Sequence, residues 1–246
     1  MRLSPRPVFH HCNDNLNQGI IIMKYLSACA AALAVATLAG TASAQDPQVS
    51  FNVAGTSDYV FRGFSQTQED EAVQGGVDLT IGSVYVGAWA SSLDFGDNTN
   101  VEVDVYGGYR WEAVGVAWDV GVVGYFYGPG ANSEYDYVEV KAAGSRAIGP
   151  VTLGAAVFFS PDFFGVDDEA TYLEANAAIT PVDKWTVSGA VGKQWLSTSD
   201  DYSTWNAGVA YALTENVALD LRYHNTDVKN VPIAGDRVVG TVKFLF

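Results

Sequence analysis

Charged side chains recur through this 246-residue chain at positions whose immediate neighbours are nearly all apolar: Asp78, Glu102, Asp104, Asp119, Glu139, Glu174 and Asp220, with Arg110, Lys141, Arg222, Arg237 and Lys243 among them. Spaced in this way, charges can line a water-filled path and bias which ions pass, by electrostatics at close range. The blander expectation is that they pair across an interior and fill it. Arg62 stands apart at the start of a polar stretch, FRGFSQTQEDE, where it would either fix a loop by meeting Asp58 or an acidic loop residue, or attract anionic solutes at a mouth.

Catalysis needs a tighter constellation than the chain supplies. His224 could serve a hydrolase only beside a serine nucleophile and an orienting Asn or Asp. Ser203, Asn206 and Asp220 are the candidates, with no nucleophile motif to pick them out, and no enzyme activity is expected. The acidic runs Asp167-Asp168-Glu169 and Asp200-Asp201 could hold a divalent cation against lipopolysaccharide phosphates, but hard cations want more oxygens than such a run offers. Solvated loops are the simpler account. No spaced calcium loop, phosphate-cradling glycine loop or histidine pair appears, so neither metal nor cofactor is expected.

The elements that position these residues repeat with period two. Alternation predicts strands at 48–59, 72–81, 84–93, 101–111, 114–127, 135–145, 151–160, 170–179, 185–195, 202–212, 217–224 and 237–246. On the fourth, Val101, Val103, Val105, Tyr109 and Trp111 alternate with Glu102, Asp104, Tyr106 and Arg110; on the eleventh, Val217, Leu219, Leu221 and Tyr223 alternate with Ala218, Asp220, Arg222 and His224. One face suits lipid and the other a polar interior.

Connections alternate as well. Gly82-Ser83, Glu112-Ala113, SRAIGP, TPVDK and LTEN are short, whereas the intervening loops are longer and acidic. Short periplasmic turns and long outer loops are the pattern of a transmembrane barrel. The predicted fold is therefore all-β: an antiparallel up-and-down β-barrel of twelve strands, spanning residues 45–246. A soluble barrel would alternate too, but its apolar set would point inward and its polar set outward.

Both ends of the chain agree. From Met23 the sequence MKYLSACAAALAVATLAGTASAQ has the charged start, apolar run and small-residue site of a signal peptide cleaved after Ala44. Residues 1–22 read as an upstream extension without function. Leu26-Ser27-Ala28-Cys29 precedes most of the apolar run and so makes a poor lipoprotein box. Losing residues 1–44 removes Cys12, Cys29, Arg2, Arg6, Lys24 and Asp14, so a chain with 13 basic and 28 acidic residues becomes cysteine-free with a net charge of about −17. Such acidity argues against nucleic acid as a partner. The last segment, DRVVGTVKFLF, ends on Phe246 and resembles the closing strand of bacterial outer-membrane β-barrels, which implies that Phe246 is a signal read by the barrel-assembly machinery.

One stretch carries a family likeness. Ser57, Asp58, Tyr59, Val60, Phe61, Arg62, Gly63, Ser65, Gln66 and Thr67, followed by Ala72, Val73, Gln74, Gly75, Gly76 and Asp78, resemble the opening of the TorF-type porins, proteobacterial outer-membrane proteins of otherwise unknown function. VYVGAWASSLDF from Val84 and EVDVYGGYRW from Glu102 continue the likeness. The resemblance implies a porin-like channel for small hydrophilic solutes or ions, in contact with outer-membrane lipid and lipopolysaccharide. The competing expectation is a non-conducting surface protein whose loops bind a ligand or the lipid layer.

Overall fold

A computed structural model describes residues 46–128, 135–164 and 168–246. The proposed signal peptide and upstream extension lie outside the described residues, as does Asp167. The chain forms β1 (Gln48–Thr56), β2 (Val60–Phe61), β3 (Phe64–Ser65), β4 (Ala72–Ile81), β5 (Val84–Ser92), β6 (Val101–Ala113) and β7 (Val116–Gly128). It continues through β8 (Tyr137–Ile148), β9 (Val151–Ser160), β10 (Ala170–Val182), β11 (Trp185–Leu196), β12 (Tyr202–Ala212), β13 (Val217–Thr226) and β14 (Arg237–Leu245).

All but β2 and β3 close into a twelve-stranded antiparallel barrel, each long strand pairing with its sequence neighbours and β1 sealing the seam against both β14 and β4. Closure removes every sheet edge, which a strand crossing lipid requires because no water is present to satisfy free backbone groups. Phe246 continues the seam beyond β14 by exchanging backbone hydrogen bonds with Phe51 at 2.9 and 3.0 Å.

The faces divide as the alternation predicts. Val103, Val105, Tyr109 and Trp111 of β6 are exposed on the outside, while Glu102, Asp104 and Tyr106 are buried inside. Aromatic rings gather near both ends of the outer surface. Trp111 stacks on Trp118 and Trp185 meets Tyr211 toward the short turns; Phe126, Phe159, Trp195, Trp205 and Tyr223 lie toward the long loops. Such belts sit at the two membrane interfaces of outer-membrane barrels.

Several strands run further toward the short turns than alternation suggests. β6, β8 and β10 extend to Ala113, Ile148 and Val182, so SRAIGP and TPVDK are largely strand, turning tightly at Gly149-Pro150 and Asp183-Lys184. In β10 the register slips between Ile179 and Val182, where Pro181 has no N–H to give the ladder.

The larger difference is at the other end. β1 stops at Thr56 rather than at residue 59, and FRGFSQTQEDE is not a plain outer loop. It begins with a hairpin, β2–β3, that enters the barrel.

Candidate functional site

The hairpin turns at Arg62-Gly63, with Val60 opposite Ser65 and Phe61 opposite Phe64. Both turn residues have positive φ, 41° at Arg62 and 89° at Gly63, the backbone of a type I′ turn whose twist matches that of the flanking strands. Glycine is required at the second position twice over, because a side chain at Gly63 would also run into Thr204 and Thr226 of the barrel wall.

Asp58 fixes the root of this loop. Its carboxylate accepts hydrogen bonds from Ser65 Oγ at 2.6 Å, Thr67 Oγ1 at 3.0 Å and Arg237 of β14 at 2.9 Å. Phe64 lies edge-on to Tyr202 of β12, and Phe61 is fully buried among Tyr59, Trp89, Tyr125 and other rings on the opposite side. The hairpin therefore spans the lumen, and on the side of β4–β8 it completes an aromatic core.

Arg62 does not meet Asp58. Its side chain, 2% exposed, reaches the far wall, where one terminal nitrogen donates to both carboxylate oxygens of Glu139 at 2.9 Å and the other to Gln194 Oε1 at 2.7 Å. The guanidinium also lies over the Tyr172 ring, 4.2 Å from its centre, with Phe158 at 5.3 Å. Both the loop-fixing and the mouth-charge expectations placed Arg62 too far out. The stretch YVFRGFS is too aromatic to stay in solvent, and burying it carries the arginine inward.

The other charged positions all face inward, mostly in pairs. Arg110 and Lys141 converge on Asp119 at 3.2 and 3.0 Å, with the Tyr85 hydroxyl donating to the same carboxylate at 2.8 Å. Arg222 meets Asp220 at 3.1 Å and also donates to Asn206 and Ser188. Asp78 accepts from Tyr106 at 2.7 Å and Glu174 from Tyr172 at 3.2 Å. Glu102 and Asp104 are fully buried near Tyr59. Lys243 lines a cavity of about 90 Å³ between the hairpin and a wall formed mainly by β1 and β12–β14 and bordered by Gln74 of β4 and Trp89 of β5, together with Asp58, Asp220, Arg222, His224 and Thr241. That volume holds several waters.

The hydrolase constellation does not assemble. Asn206 sits opposite His224 in register and Asp220 shares their inward face, but Ser203 is an odd number of residues from Asn206 on β12 and points the other way. Among the described residues no group of His, Cys, Asp or Glu is arranged to hold a metal.

Gln194, Tyr172, Phe158 and Tyr125 were not singled out by sequence, because uncharged inward residues carry no signal of their own in an alternating strand. The one available clue was a weak one, the glycine at 63 between the apolar residues Val60-Phe61 and Phe64, since Arg-Gly is not among the dipeptides that mark a two-residue hairpin.

A family model described as a bacterial protein of unknown function (Gcw_chp) matches residues 39–244. The chain belongs to this family. No curated protein matches it. Among solved structures, this Gcw_chp member is similar to the KdgM porin, with a TM-score of 0.58 at 8% identity over 80% of this chain and 98% of that one. It is also similar to the KdgM porin in complex with disordered oligogalacturonate, with a TM-score of 0.57 at 9% identity over 82% and 99% of the two chains. The NanC porin gives a TM-score of 0.55 at 11% identity over 79% and 98%. At these identities the likeness is one of fold, that of outer-membrane porin barrels.

Proposed function

We propose that this barrel is a narrow, passive porin of the bacterial outer membrane, reached through a cleaved signal peptide and inserted by the barrel-assembly machinery. It admits small hydrophilic solutes or ions. The observation that carries the reading is the cavity beside the hairpin, into which the charged side chains of Asp58, Asp220, Arg222 and Lys243 are set among apolar ones, inside a barrel whose outer face is apolar. The TorF-type opening segment and the shared porin fold support it.

Charge pairing sets the expected solute class. A polyanion such as the oligogalacturonate found with KdgM would meet cations that already have partners: Arg62 with Glu139, Arg110 and Lys141 with Asp119, Arg222 with Asp220, Arg237 with Asp58. Small uncharged or singly charged solutes suit such a lining better than long anions. In a planar bilayer, the purified protein is expected to give discrete, small conductance steps. A silent barrel would remove the porin reading and leave the fold intact.

The aromatic packing of the hairpin gives the rival reading its one supporting observation, since a permanently plugged barrel would serve only to display its loops. Replacing residues 60–65 by a short Gly-Ser link separates the two. A channel conducts more freely without the hairpin, whereas a loop-based binder loses its ligand.

A further inference from the structure

The wall residues around Arg62 form a receptor whose two polar members are held by partners on the wall itself. Glu139 on β8, Phe158 on β9, Tyr172 on β10 and Gln194 on β11 come from four consecutive strands. Glu139 is oriented by the Tyr125 hydroxyl, which donates to its carboxylate at 3.0 Å. Gln194 is oriented by backbone, its amide nitrogen donating to the Thr171 and Trp195 carbonyls at 3.2 and 3.4 Å so that its oxygen faces the guanidinium. Tyr172 lies across Gly192, which leaves room for the ring.

A carboxylate, an amide oxygen and two aromatic faces converging on one point are the recognition chemistry of an organic cation: charge-assisted hydrogen bonds from the front and cation–π attraction from the sides. Arg62 satisfies this chemistry from a loop that the barrel does not need for closure.

We propose that this cage is a binding site for small solutes bearing a guanidinium or alkylammonium group, and that Arg62 occupies it as an internal competitor. A solute that takes the cage frees the hairpin tip and widens the passage beside it. The site stands whether or not the barrel conducts, so its test needs no current.

Ethylguanidinium is the probe, being the end of an arginine side chain without its backbone. Titration calorimetry on the Arg62→Ala barrel in detergent micelles should show saturable binding. The unaltered protein should bind at least about tenfold more weakly, because the site is available only in the fraction with the tip released. Arg62→Ala with Glu139→Gln should lose the binding. Absence of binding to an Arg62→Ala barrel that still shows heat-shifted gel migration overturns the proposal, and so does binding that survives Glu139→Gln.

A second measurement keeps Arg62 in place. Cys12 and Cys29 precede residue 46, so Val60→Cys puts a single thiol in the described barrel, buried within the hairpin. Ethylguanidinium should accelerate its labelling by a membrane-impermeant maleimide saturably, while sodium chloride at equal ionic strength should not. Equal rates with both overturn the proposal. If Arg62→Ala does not fold, this result decides.

Discussion

Arg62 and Glu139 are each almost wholly removed from water, which makes their pair strong in one direction only. Burying both charges costs desolvation that their attraction roughly offsets, whereas removing one partner strands the other at a cost of about 3–5 kcal/mol. Glu139→Gln should therefore loosen the hairpin. Hydrogen exchange followed by mass spectrometry should show lost protection at Val60–Ser65 and unchanged protection in β5–β7. The double replacement Arg62→Met with Glu139→Leu should protect the hairpin better than Glu139→Gln alone, since no buried charge is left without a partner. Gly192 acts on the same pair from behind. A methyl group at Gly192→Ala would strike the Tyr172 ring and push it off the guanidinium; overpacking of this kind costs about 1–3 kcal/mol and should weaken hairpin protection without opening the barrel.

At the scale of the strand, position on the pleat decides what a residue does. Val105 on β6 faces outward at mid-strand, paired with Ala88 and Gly124. Val105→Arg should cost about 2–4 kcal/mol, the penalty for a cation at the bilayer midplane of an outer-membrane barrel. Thr241→Arg on β14 points into the cavity and should cost much less; urea midpoints of the two variants refolded into liposomes give the comparison. These faces were legible in the sequence, because a period-two pattern registers directly as inside and outside once the sheet closes. The hairpin was not. Arg-Gly lacks the Asn or Asp that usually marks a type I′ turn, and a four-residue ladder is too short to alternate visibly. Strand ends toward the short turns were also blurred, since SRAI and TPV look like turn sequence yet pair with neighbours that continue beside them.

For the whole molecule, the hairpin divides the lumen unequally. The β4–β8 side is packed with rings from Tyr59, Phe61, Trp89, Tyr125 and Tyr127, while the cavity runs along β1 and β12–β14, with Tyr59 and Trp89 at the border between the two. Exchanging residues 60–65 for a Gly-Ser link should raise unitary conductance in a planar bilayer while the protein still migrates as a heat-sensitive barrel, since none of the removed residues belongs to the twelve-stranded wall. The sequence by itself determined the wall: alternation fixed which side chains face inward, and turn lengths fixed antiparallel neighbours, both being local consequences of the strand's twofold repeat. It also determined that Asp78, Glu102, Asp104, Arg110, Asp119, Glu139, Lys141, Glu174, Asp220, Arg222 and Lys243 would share one interior. Which of them meet was decided by tertiary structure alone. Glu139 and Arg62 are separated by 77 residues, and Asp58 and Arg237 by 179. Such partners are set by strand stagger around a closed barrel and by an inward-folded loop, neither of which leaves a local mark in the chain.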